Sequence, residues 1–134
     1  MILIVGGVFQ GKKEYAKNLA LEKGFNDSVN IWSGINLLVM EYLKNGLISE
    51  SKEKNAVNNN NDISMMETVK KIINKEMNKS KNCIIIADEV GMGIVPMAKL
   101  EMDYREVLGR ILCDLAKQAD EVYRVVCGIG QRIK

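Results

Sequence analysis

The stretch that most constrains this chain runs Cys83-Ile84-Ile85-Ile86-Ala87-Asp88-Glu89-Val90-Gly91-Met92-Gly93-Ile94-Val95-Pro96. A β-branched apolar run ends in two acids, a glycine turn and the only proline. A run of this kind, bounded by a turn signal, fits a strand buried on both faces, and such strands lie inside parallel sheets. Open α/β sheets place their ligands at the carboxyl ends of the strands. Asp88 and Glu89 stand at that end. A hydrophobic strand closing on Asp-Glu has the form of a Walker B segment. In that segment the first acid organises magnesium and the second polarises a nucleophile. Paired acids after a strand also arise by chance, so the reading needs a phosphate-binding loop elsewhere.

The amino-terminal end supplies one. Residues 2–5 form an apolar strand, and Gly6-Gly7-Val8-Phe9-Gln10-Gly11-Lys12 matches G-x-x-x-x-G-K. Tyr15, Ala16, Leu19 and Ala20 then recur at helical spacing, with Gly24 as the stop. Strand, glycine loop and helix is the context a phosphate loop requires. Gly6, Gly7 and Gly11 let successive N–H groups turn toward phosphate oxygens, and Lys12 reaches the terminal phosphates. The next position should be Ser or Thr, whose hydroxyl binds magnesium. It is Lys13, which cannot ligate a cation and adds positive charge beside the metal position, and which joins Gly6, Gly7, Gly11 and Lys12 as a candidate nucleotide-binding residue.

The other elements follow from pattern. Residues 28–32 alternate as a second strand, with Ser33-Gly34 as its turn and Trp32 a core or interface residue. Ile35 to Asn45 is a helix so apolar that it is buried on more than one side or meets another subunit, with Gly46 ending it. Residues 47–62 are polar and low in complexity and read as an exposed, mobile loop. Asp62 or Ser64, with Glu67, caps a helix striped by Met65, Met66, Val69, Ile72, Ile73 and Met77. After the central strand, a helix from about Ala98 to Ala119 carries the stripe Leu100, Tyr104, Leu108, Ile111, Leu112 and Leu115. Residues 121–127 are a strand, 128–130 a tight turn and 131–134 an extended tail. The order β-α-β-α-α-β-α-β predicts one P-loop-type α/β domain over 1–134, a parallel sheet with helices on both faces.

Composition narrows the function classes. A net charge of +2 gives no footing for nucleic acid or a membrane surface. No apolar run is long enough to span a bilayer, and the amino terminus enters a strand without a basic leader. Three cysteines in apolar surroundings suggest buried, reduced thiols and a cytoplasmic protein. The absence of histidine removes histidine base catalysis and histidine metal ligation.

Asp88-Glu89-Val90-Gly91-Met92-Gly93-Ile94-Val95-Pro96 resembles the N-E-V-G-x-G-I-V-P signature of the adenosylcobinamide kinase / adenosylcobinamide-phosphate guanylyltransferase family. The likeness continues through Tyr104-Arg105-Glu106, Gly109-Arg110, Ala119 to Tyr123, Val125 to Ile129 and the closing Gln131-Arg132-Ile133-Lys134. Residues 2–12 resemble that family's G-G-x-x-S-G-K-S opening. The resemblance implies a P-loop fold, association as trimers, and two activities. One is phosphorylation of adenosylcobinamide by a nucleoside triphosphate, ATP or GTP. The other is GMP transfer through a histidine, for cobalamin assembly. A chain without histidine is expected to lack the second. Gln10 and Lys13 replace two loop serines, Ser33-Gly34 falls on an acidic strand end, and Leu112-Cys113 falls on an Asn-Gln pair. By resemblance, Lys12 holds phosphates, Asp88 organises magnesium, Glu89 serves as base or second metal acid, and Arg105 and Arg110 are candidate phosphate contacts. Three readings stay open: a reduced cobinamide kinase, a non-catalytic nucleotide- or corrinoid-binding relative or assembly partner, and an interaction protein with an empty site.

Overall fold

Strand alternation builds the architecture. In a computed structural model, residues 1–25, 29–50 and 60–134 are described, the side chains of 46–50 and 60–66 apart. The chain order is β1 (Ile2–Gly6), α1 (Lys12–Glu22), β2 (Val29–Trp32), α2 (Ile35–Glu50), α3 (Asn60–Met77), β3 (Asn82–Asp88), α4 (Lys99–Gln118), β4 (Glu121–Val126) and β5 (Ile129–Arg132). The sheet runs β2-β3-β1-β4-β5. Its first four strands are parallel and β5 is antiparallel to β4.

Register keeps like faces together. Ile4 pairs with Ile86, and Leu3 with Ile85 and Val122. Ile2, Ile4, Ile84, Ile86, Tyr123 and Val125 pack with Ala16, Leu19 and Ala20 of α1. Leu3, Ile85, Ala87 and Val122 face the other way, against α2, α3 and α4. One helix therefore covers one face and three cover the other. A one-residue slip in any inner strand would exchange the two sets, which is why burial on both faces fixes the register.

Several expectations are corrected. Residues 129–132 form β5, where a turn over 128–130 and a tail over 131–134 were expected. Cys127 and Gly128 have φ of 50° and 78°, and Val126 pairs with Ile129. Two consecutive positive φ values are the mark of a two-residue type I′ hairpin turn, whose twist matches the strands. Gly46 does not end α2, which continues to Glu50. A glycine costs a helix about 1 kcal/mol relative to alanine, too little to stop one already held by buried Ile35, Val39 and Leu43. Of the expected loop at 47–62, residues 47–50 belong to α2 and 60–62 to α3, while 51–59 lie outside the described residues. Asp62 and Ser64 sit inside α3, not at its cap. Ile35, Val39 and Leu43 of α2 are buried in the core, with Leu38 and Tyr42 packed beside them and Leu37 exposed. Cys83 is buried, but Cys113 and Cys127 are exposed, and all three are free thiols.

The amino end of β4 is held by charge. Glu121 accepts from Lys23 Nζ at 2.7 Å and from the Tyr123 hydroxyl at 2.6 Å. The Lys23 bond first, and the Tyr123 bond next, hold the Glu121 carboxyl below its ordinary value. Burial first, then Glu121, pushes Tyr123 up to about 12. A carboxyl lowered by folding adds stability that is complete above its unfolded value, about 4.3, and lost as pH falls through the folded value. The urea midpoint should thus fall as pH drops below about 4.3, and Glu121→Gln should flatten that acid limb.

Candidate functional site

Period-2 geometry decides which acid meets the glycine loop. Ile84 and Ile86 lie on the α1 face, and residue 88 has their parity. β1 brings Gly6 into register with Asp88. The chain then turns through 7–11 and starts α1 at Lys12 on that face. Lys12 is buried, 6% exposed, and its Nζ lies 2.6 Å from Asp88 Oδ1. It also donates to the Gly7 carbonyl. The loop lysine and the first acid, far apart in sequence, meet at the carboxyl ends of β1 and β3.

The loop is shaped by its own strain and by β4. Phe9 and Gly11 have φ of 58° and 81°. Gly11 stands before α1 in a left-handed conformation, and no side chain caps the helix. The first-turn amides of a helix have no intrahelical acceptor, and the helix dipole adds positive potential there. With Lys12 beside them, these groups form an anion-binding end. Gln10 replaces an expected serine and pins the loop to the hairpin. Its Oε1 accepts from Cys127 N at 2.6 Å and its carbonyl from Gly128 N at 2.9 Å.

The acids are fixed by backbone bonds. Glu89 N donates to the Gly6 carbonyl at 3.0 Å, and Glu89 Oε1 accepts from Gly91 N. Asn36, absent from the sequence-derived set, is the third support. β2 ends opposite Ile85, so the β2 side of Asp88 lacks a strand partner. The Asn36 amide takes that place: Asp88 N donates to Oδ1 and Nδ2 donates to the Asp88 carbonyl, both at 2.9 Å. Nδ2 also reaches the Tyr104 hydroxyl at 3.0 Å. Burial, more than the neighbouring Asp88, raises the Tyr104 phenol above its ordinary value. The signal for Asn36 was a polar residue at the start of an apolar helix just past the strand end.

The two arginines separate. Arg105 donates to the Gly91 carbonyl and ties α4 to the turn after the acids. Arg110 pairs with Glu106 one turn back and has no bond to the loop. Both line a groove of about 720 Å³ between the 91–96 turn and α4, which the 6–12 loop does not line. Arg124 was not expected at the site. Its guanidinium lies 3.4 Å from Met92 Sδ, bringing a cation from β4 to the same turn. A charge near the carboxyl end of an otherwise valine-rich strand was its only sequence signal.

A resident magnesium ion does not fit these donors. Position 13 offers an ammonium where a hydroxyl would ligate, and Asp88 Oδ1 is engaged by Lys12. Among the described residues no three Asp, Glu or Cys groups converge as a metal cluster.

A mostly parallel sheet with a glycine loop after its central strand, and an acid on the adjacent strand end, defines a P-loop-type α/β protein. Comparison with known proteins gives the family. The cobinamide kinase / cobinamide phosphate guanyltransferase family matches residues 27–133, and the chain belongs to it. Two curated relatives are similar over 51 residues, which is 38% of this chain and 28% of each relative. They are the bifunctional adenosylcobalamin biosynthesis proteins CobU of Escherichia coli, 47% identical, and of Salmonella typhimurium, 49% identical. The matched stretch thus spans less than a third of either relative. No helix among the described residues is long and apolar enough to cross a membrane.

Proposed function

We propose that this chain is a cobinamide kinase-like protein of cobalamin biosynthesis that uses a nucleoside triphosphate, ATP or GTP, to phosphorylate adenosylcobinamide. The observation that carries the reading is the Lys12–Asp88 pair at 2.6 Å, which joins the glycine loop to the first of the paired acids. Family membership supplies the substrate class. In this reading the 6–12 loop and the first turn of α1 cradle the phosphates, with Lys12 on the terminal ones. Asp88 holds Lys12 in place before the nucleotide arrives. Glu89, fixed by the Gly91 amide, takes the proton from the attacking hydroxyl. The hydroxyl oxygen bonds to the γ-phosphorus, the bridging P–O bond breaks, and the nucleoside diphosphate leaves. Phosphoryl transfer depends chiefly on such positioning and charge stabilisation. The reading leaves out guanylyl transfer through a histidine, since the sequence contains none.

The test is transfer of labelled γ-phosphate to adenosylcobinamide by purified protein. Transfer above a Lys12→Ala background is the expected result. A second reading, a non-catalytic nucleotide- or corrinoid-binding relative, draws on the same ion pair, because Lys12 is already engaged by Asp88 and the Gly7 carbonyl. Nucleotide binding without transfer would favour it.

A further inference from the structure

Charge balance at the loop points to how the nucleotide is held. A triphosphate brings dense negative charge into the cradle. Where a Ser or Thr follows the loop lysine, its hydroxyl holds a magnesium ion that offsets part of that charge. Here the second residue of α1 is Lys13, which is exposed. Its neighbour Glu14 faces Lys17 at 4.0 Å. No ion pair among the described residues engages Lys13, whereas Lys12 is offset by Asp88. Among the described residues, Lys13 is therefore a cation without an ion-pair partner at the amino end of α1. An ammonium offers a divalent cation no lone pair, and its positive charge in the first turn of α1 disfavours a cation that a hydroxyl there would hold. We infer that the chain binds its nucleoside triphosphate as the metal-free anion, the Lys13 ammonium supplying the charge that magnesium supplies beside a hydroxyl. The inference rests on the nucleotide-binding reading above and concerns how that same site is charged.

Titration calorimetry of the full chain with ATP and with GTP tests it, in excess EDTA and in excess magnesium. The expected affinity in EDTA equals or exceeds that in magnesium, because magnesium draws free nucleotide into a complex the site disfavours. Lys13→Ser should lose about tenfold in EDTA, the worth of one charge-assisted hydrogen bond, and recover it in magnesium. Lys13→Met, which offers neither charge nor ligand, should bind weakly in both. Circular dichroism confirms that these surface variants are folded. Wild-type binding that tightens tenfold or more with magnesium overturns the inference and leaves the nucleotide reading standing. So does a Lys13→Ser variant that binds in EDTA as the wild type does. No binding of either nucleotide in either buffer overturns the nucleotide reading, and the inference falls with it.

Discussion

Lys12→Ala lowers the affinity for ATP or GTP by about a hundredfold, the loss expected when two charge-assisted hydrogen bonds to phosphate disappear. Lys12 is placed for this by burial, by its position at the start of α1 and by the Asp88 carboxylate. The variant stays folded. Asp88 is 35% exposed, so water takes up much of the charge that Lys12 leaves behind. The stability lost on that account is about 1 kcal/mol. Asp88→Asn separates holding the lysine from binding the nucleotide. Without the carboxylate the ammonium leaves no ionic partner when phosphate arrives, so affinity is kept or improves. Calorimetry on the two variants reads both effects. A Lys12→Ala protein that binds nucleotide as tightly as the wild type would mean that the loop turns the chain without holding phosphate.

Much of this architecture follows from local pattern. The β-branched run 83–87 is buried on both faces, and the stripe Leu108, Ile111 and Leu115 lies against the sheet. The Lys12–Asp88 contact was legible for the same reason: strand ends carry their side chains by parity, and a loop after one strand meets the acid on its neighbour. What local pattern could not supply were contacts made across the chain. Asn36 completes a strand end only because β2 is one short segment long, and no spacing in the sequence encodes that. Gln10 looked like a lost serine, yet its side chain binds the hairpin turn. Arg105 and Arg110 lie five positions apart on one helix, but only Arg105 reaches the turn after the acids. The β5 hairpin was missed because Cys127 takes a positive φ that its residue type does not announce.

Gly6→Ala destabilises the protein by about 3 kcal/mol or more, in the range of overpacking a core position. The reason is a backbone approach, not a special φ. A Cβ at residue 6 would lie 2.3 Å from the Val125 carbonyl oxygen, and main chain cannot swing aside as a flexible side chain can. Gly6 is also in register with Asp88, and its carbonyl accepts from Glu89 N. Relief of the clash must therefore part β1 from β4 or from β3, the strands that flank it. For a chain of this size the melting temperature should fall by about 10 °C, with urea unfolding giving the free energy. Gly93→Ala is the control. Nothing lies within 4 Å of its added Cβ, and its φ is not positive, so its stability should stay within about 0.5 kcal/mol of the wild type. Equal stability of the two variants would show that β1 and β4 do not approach this closely at residue 6. The glycine would then serve the turn alone, and the tight seat of the loop against the sheet would need another cause.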